Sequence, residues 1–91
     1  GDDRAARRLA AEVLADRRAS AWVRLVAHHV LGRLGGPGAS RHLFRAVHWA
    51  DHLLGRLSAT SDRSAFLKIR EDVYLDLTDV LEEGARTGAA E

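Results

Sequence analysis

The chain has 91 residues, of which 30% are charged and 46% hydrophobic, with a formal net charge of +1 and no cysteine. A chain of this length forms one domain, residues 1–91, around a small core. Without cysteine it has no disulfides, thiolate nucleophiles or cysteine metal ligands. It also has no apolar run long enough for a bilayer and no apolar signal-peptide core, so we expect a cytoplasmic protein without membrane contact.

The near-neutral total hides an uneven distribution of charge. Residues 1–60 carry ten arginines against five acidic residues, whereas residues 61–84 carry seven acidic residues against three basic ones. Oppositely charged regions attract each other within one fold or between two copies.

The first two predicted helices cover residues 3–16 and 20–34. Their apolar faces are rotated by about 100° relative to each other when both are placed on one helix, far more than supercoil drift allows. We therefore predict a break within residues 17–20, where Ser20 is suited to cap the second helix. One kinked helix over residues 3–34 is the alternative.

Two more helices follow the glycine-rich stretch at residues 35–38. Gly35 suits the position after a helix and Pro37 cannot continue one. The third helix is predicted over residues 40–57 with Ser40 as its cap, and the fourth over residues 61–84 with Gly84 as its end. Residues 85–91 are predicted to fray. Together the segments indicate an all-α, up-and-down bundle without strands.

The fourth predicted helix has an apolar arc too wide for one neighbouring helix to cover. We therefore expect a homodimer in which part of this arc forms the interface. The candidate interface residues are Phe66, Ile69, Arg70, Val73, Tyr74, Leu77, Val80 and Leu81. Arg70 lies within the arc and needs either a carboxylate, from Glu12, Asp16 or Asp51, or a path for its guanidinium to solvent.

A basic stripe follows the third predicted helix on the side opposite its core. It consists of Arg41, Arg45, His48, His52 and Arg56. Phosphates or an acidic protein partner suit such a stripe, and nucleic acid is a weaker alternative because the total charge is near neutral. His48 and His52 have the spacing of two metal ligands, but the stripe contains no carboxylate and three fixed positive charges.

The remaining histidines considered are expected to be structural. His28 falls on the polar side of the second helix, and His29 falls at the edge of its core face, where hydrogen bonding to a carbonyl is the ordinary role. No catalytic motif or cofactor-binding motif is present.

The sequence therefore predicts a non-catalytic protein-interaction or self-association module with a regulatory role and no cofactor. Two alternatives stay open. One is an anion- or nucleic-acid-binding domain that uses the basic stripe, and the other is a small bundle that binds a metal through histidines.

Overall fold

The structure is a computed structural model that describes residues 2–57 and 60–87, with side chains in the last helix described from residue 63 onward. Within these residues it contains four helices and no strand, which confirms the predicted all-α fold. The helices are α1 (Asp2–Ala15), α2 (Ala21–Leu34), α3 (Ala39–Arg56) and α4 (Thr60–Thr87).

The predicted break between the first two helices is confirmed. The Ser20 backbone is extended, with φ −72° and ψ 166°, and its hydroxyl accepts a hydrogen bond from the Val23 amide at 3.3 Å. This bond satisfies one of the free amides in the first turn of α2. The single kinked helix is therefore excluded.

The third helix begins earlier than the sequence predicts. Gly38 is its N-cap residue, with φ 82° and ψ 6°, and the Ala39 amide donates to the Gly36 carbonyl at 3.2 Å. The prediction that Ser40 caps this helix is wrong, because Ser40 lies inside the first turn and is buried. Glycines with positive φ allow the tight turn that starts the helix at once.

The fourth helix runs past its predicted end at Gly84. It continues to Thr87, whose hydroxyl donates to the Glu83 carbonyl at 2.9 Å. Glycine weakens a helix by about 1 kcal/mol relative to alanine but does not by itself end one. The predicted frayed tail is therefore helical over residues 85–87, and the rest of it lies outside the described residues.

The helices pack in a series and do not close into a ring. Each helix packs against the one before it, and α4 also touches α2. Arg7 near the start of α1 contacts the end of α2, and Arg63 near the start of α4 contacts the end of α3, so the helices of each pair are antiparallel. In the described part of the chain, α1 contacts α2 alone. A closed four-helix bundle would bring α1 and α4 together, and this fold leaves that side open.

Eight of the twelve buried apolar residues among those that the structure describes fall into two clusters that reflect this arrangement. The α3–α4 cluster contains Leu43, Ala46, Val47, Val73 and Leu77, with Val80 packed against it. The α1–α2 cluster contains Ala10, Ala27 and Leu31, with Val13 and Leu14 packed against it. Between them, α2 approaches α3 so closely at Gly32 that a Cβ atom there would collide with the Leu43 side chain.

Three arginines donate hydrogen bonds to carbonyls at or just after the C-terminal ends of other helices. Arg24 donates to the carbonyls of Leu14 at 3.5 Å, Asp16 at 2.9 Å and Ala19 at 3.2 Å. Arg7 donates to the carbonyls of Leu34 at 3.0 Å and Gly35 at 3.2 Å. Arg63 donates to the carbonyls of Leu54 at 2.7 Å and Leu57 at 3.3 Å. The last carbonyls of a helix have no partner within it. These side chains therefore complete α1, α2 and α3 from outside.

Candidate functional site

An apolar trough runs between α1 and α2 and opens to solvent. We call it the α1–α2 trough. It is lined by Ala6, Leu9, Ala10, Val13, Trp22, Val23, Val26, Ala27 and Val30. Every one of these side chains is apolar, so nothing in the lining offers a hydrogen bond to a small polar ligand, apart from the indole of Trp22.

The large side chains of the trough are exposed to an unusual degree. Leu9 is 63% exposed, Trp22 43% and Val26 39%. The rings of Trp22 and Phe66, on α4, make an edge-to-face contact with their centroids 5.5 Å apart. This contact extends the apolar surface of the trough toward α4. Single exposed apolar residues are common on proteins, but a contiguous set of them marks an interaction surface.

The trough exists because α2 is apolar on more than one side. Its buried Leu25 and Gly32 belong to the side that faces α3, while its valines at 23, 26 and 30 point away from α3. In a closed bundle a further helix would cover those valines. Here α1 flanks only one edge of them, so the surface stays open.

The predicted interface on α4 is largely occupied within the chain. Val73 and Leu77 are 0% and 4% exposed, because they pack against the apolar face of α3. Their assignment to an interface with a second copy is corrected: both belong to the core. Phe66, Ile69, Arg70 and Val80 are half-buried, while Tyr74 and Leu81 are exposed.

Arg70 joins α4 to α3. Its Nε donates to the Asp51 carboxylate, and its guanidinium lies 4.7 Å from the centre of the Tyr74 ring. Asp51 is one of the three carboxylates that the sequence offers as partners, and the Arg70 side chain also reaches solvent, so both predicted alternatives are met in part. Both side chains are partly exposed, at 35% and 51%, so the guanidinium is not left as an unpaired buried charge.

The predicted basic stripe is exposed along its whole length on α3. We call it the α3 basic face, and it comprises Arg41, Arg45, His48, His52 and Arg56. Trp49 lies between its two histidines, with edge contacts of 5.3 Å to His48 and 5.7 Å to His52. Arg24 of α2 adds a guanidinium 6.0 Å from the Trp49 ring.

A histidine pair that the sequence analysis missed lies beside this face. The Nδ1 atoms of His28 and His42 are 3.0 Å apart, and their ring centroids are 5.2 Å apart. When both rings are neutral, one nitrogen donates a hydrogen bond and the other accepts it. His28 lies on the polar side of α2 as predicted, but that side faces α3 and the residue is buried.

Burial and positive charge both act on this pair. Burial, followed by the charges of His42, Arg45 and Arg24, lowers the pKa of His28 from 6.5 to about 4. Burial, followed by Arg45 and Arg41, lowers the pKa of His42. Either ring is therefore held in its neutral form. The clue in the sequence is that the short turn at residues 35–38 brings the end of α2 beside the start of α3, where these two histidines lie.

His29 makes a different contact from the one predicted. Its Nε2 lies 2.6 Å from Oδ2 of Asp76, and the Arg33 Nε is 3.7 Å from the same oxygen. The predicted carbonyl partner is thus corrected to a carboxylate on α4. Because α2 and α4 are not neighbours along the chain, sequence periodicity alone cannot pair them. The contact links these two helices at one end of their interface.

The arrangement has limited means to hold a metal. Over residues 2–57 and 60–87, no three side chains of His, Cys, Asp or Glu come together in a group that could bind a metal ion. His48 and His52 both point to solvent beside three arginines. Among the helices described, none has the length and apolar content that crossing a membrane requires.

No family model, curated protein or solved structure matches the chain. The molecule presents two candidate binding surfaces, the α1–α2 trough and the α3 basic face.

Proposed function

We propose that this chain is a self-association module in which a second copy covers the α1–α2 trough. The observation that carries the proposal is the row of large apolar side chains on α1 and α2 that remain exposed, with Leu9, Trp22 and Val26 as the most prominent. Burying such side chains is favourable by about 25 cal/mol per Å² of apolar surface.

A second copy is the occupant that best suits the shape of this surface. Helices α1 and α2 form an antiparallel pair of 14 residues each, which is about 21 Å long at 1.5 Å per residue. Two such pairs placed face to face form a four-helix bundle in which all four helices have the same length. A twofold axis would then bring the same surface of each copy together, as in most homodimers.

The size of the surface indicates a reversible dimer. Two helices about 10 Å apart present a face about 20 Å wide, so each copy would bury about 400 Å². Stable interfaces bury about 800 Å² per partner, and smaller ones belong to weak or transient complexes. Attraction between the basic first part of one copy and the acidic α4 of the other would add to the apolar contact at low salt.

The weak attachment of α1 supports the same conclusion. Ala10 is the one residue of α1 that is buried, and α2 is its one neighbour among the described helices. An isolated helix of 14 residues is marginal in water, and packing supplies most of its stability. A second copy against the trough would give α1 a second neighbour.

Sedimentation velocity over a range of protein concentrations tests the proposal. The wild-type chain should shift from one to two monomer masses as concentration rises, while Val26→Glu should stay monomeric. Leu75→Glu is the matched control, because Leu75 is 57% exposed on α4 and does not line the trough. A wild type that stays monomeric at high concentration, or equal loss of dimer in both variants, would refute the trough as the interface.

A further inference from the structure

We propose that the α3 basic face binds single-stranded nucleic acid, with its cations on the phosphates and the flanking aromatic rings on the bases. This is a second activity on a different surface from the trough. It therefore stands or falls independently of self-association.

The cations of the α3 basic face form a regular linear array. Residues 41, 45, 48, 52 and 56 follow each other at intervals of three or four positions, which keeps them on one side of the helix. The row is about 22 Å long at 1.5 Å per residue. About six phosphates pass over such a length in a strand that rises 3.4 Å per nucleotide.

The positive charge of this region has almost no internal counter-charge. Asp51 is the one acidic residue between positions 17 and 61, and the Arg70 guanidinium of α4 occupies its carboxylate. None of the five residues of the face forms an ion pair with a carboxylate among the side chains that the structure describes. The face is consequently free to meet an anion from outside.

The pKa values of the neighbouring His28–His42 pair are also affected by the positive charge of this region. Besides burial, the positive charges of Arg24, Arg41 and Arg45 lower the pKa values of His28 and His42. These three arginines come from both helices that surround the pair. A phosphate bound to the same arginines would offset their effect on the histidines.

Aromatic rings lie on both sides of the cation row. By helix geometry, Phe44 and Trp49 are placed on opposite flanks of it, each about 60–80° from its centre. Phe44 is 55% exposed, and Trp49 is half-buried between the two histidines. Cations combined with exposed rings are the pattern of single-strand binding, in which bases stack on aromatic faces. An acidic protein would satisfy the cations without needing the rings.

Fluorescence anisotropy of a labelled 12-nucleotide single strand, oligo-dT or oligo-U, tests the proposal. With three arginines on phosphates, the slope of log affinity against log salt should be about −2. Raising NaCl from 50 to 200 mM should then weaken binding about twentyfold. The same titration on Val26→Glu should give unchanged binding, since that substitution lies in the trough.

Charge-matched variants locate the binding surface. Arg41→Glu with Arg45→Glu should weaken binding at least tenfold and flatten the salt slope from about −2 to about −0.7, because one arginine remains. Arg17→Glu with Arg18→Glu changes the net charge equally at exposed positions outside the face and should weaken binding much less. Arg56→Glu provides an independent single substitution, and circular dichroism checks that each variant is folded.

A ring-specific variant separates nucleic acid from an acidic protein. Phe44→Ala should weaken binding about fivefold to tenfold, as loss of one stacked base does, with the salt slope unchanged. The proposal is overturned if no binding occurs in 20 mM salt or if the Arg17/Arg18 double variant loses as much affinity as the Arg41/Arg45 variant. It is also overturned, in favour of an acidic protein partner, if polyglutamate binds equally well and Phe44→Ala has no effect.

Discussion

Acidification should destabilise the fold through the pair of histidines between α2 and α3. The His28 ring is buried against His42, and burial together with nearby positive charge lowers the pKa of His28 from 6.5 to about 4. In the unfolded chain the ring takes up a proton near pH 6.5, whereas in the folded chain it resists protonation down to about pH 4. The contribution of His28 to stability is therefore complete above pH 6.5 and declines as the pH falls toward 4.

The size of this effect follows from the two pKa values. The difference between 6.5 and about 4 corresponds to about 3 kcal/mol, at 1.36 kcal/mol for each pH unit between the two pKa values. A small domain has only about 5–15 kcal/mol in total. Because carboxylates also titrate in acid, the measurable quantity is the difference between the wild type and a variant without the ring at position 28.

Urea unfolding followed by circular dichroism at several pH values measures that difference. His28→Gln keeps a side chain that can donate and accept hydrogen bonds but does not titrate. The wild type should lose about 3 kcal/mol more than His28→Gln between pH 6.5 and 4. His48→Gln, a substitution of a histidine exposed on α3, is the matched control and should follow the wild type. Parallel pH profiles for the wild type and His28→Gln would refute the reasoning.

Three further predictions concern packing, one ion pair and α1. Gly32→Ala should lower the free energy of unfolding, measured by thermal unfolding, by about 1–3 kcal/mol, because the added Cβ collides with the Leu43 side chain. Gly55→Ala, where the space is open, should instead stabilise the helix by up to about 1 kcal/mol, and similar melting points for the two variants would contradict the packing. Asp51→Asn should cost less than about 1 kcal/mol in urea unfolding, because the pair with Arg70 is partly exposed; a larger loss would mean the pair is more important than its exposure indicates. Hydrogen exchange should find the amides of α1 the fastest among the helices in dilute solution and slower at concentrations that favour the dimer, and exchange independent of concentration would argue against α1 as part of the interface.

The helices could be predicted because each depends on information close along the chain. The phase shift between the first two apolar faces located their break, and the glycines at 35–38 located the turn. The end of the last helix was placed wrongly at Gly84. A glycine lowers helix stability but ends a helix only where the following residues leave the helical conformation, and here they remain helical to Thr87. Ser40 was predicted wrongly as the N-cap of α3, because Gly38 occupies the N-cap position and the helix already begins at Ala39.

The surfaces were harder to predict because they depend on which helices become neighbours. The apolar arc of α4 could be buried either by a second copy or by α3, and the periodicity of the sequence does not distinguish these two arrangements. Val73 and Leu77 prove to belong to the core for this reason. The open trough arises because α1 and α4 make no contact among the residues that the structure describes, which is a property of the whole arrangement of helices. The basic face could be predicted because all its residues lie on one helix, whereas the His28–His42 pair required knowing how α2 and α3 align.

The arginines that bind helix ends have a consequence for how the molecule opens. Two small and separate apolar clusters would ordinarily allow one half of a protein to unfold while the other persists. Arg7 and Arg24 act within one of these halves, because α1 and α2 each supply hydrogen-bond donors to the C-terminal end of the other. Separation of α1 from α2 therefore removes these donors from both helix ends at once, and Arg63 of α4 supplies donors to the end of α3. A lysine would serve less well, since its ammonium lacks the rigid planar fork with which the guanidinium reaches several carbonyls. Detachment of one helix in either pair therefore also removes hydrogen-bond donors from the end of its neighbour, and this coupling acts within each pair and not between α2 and α3.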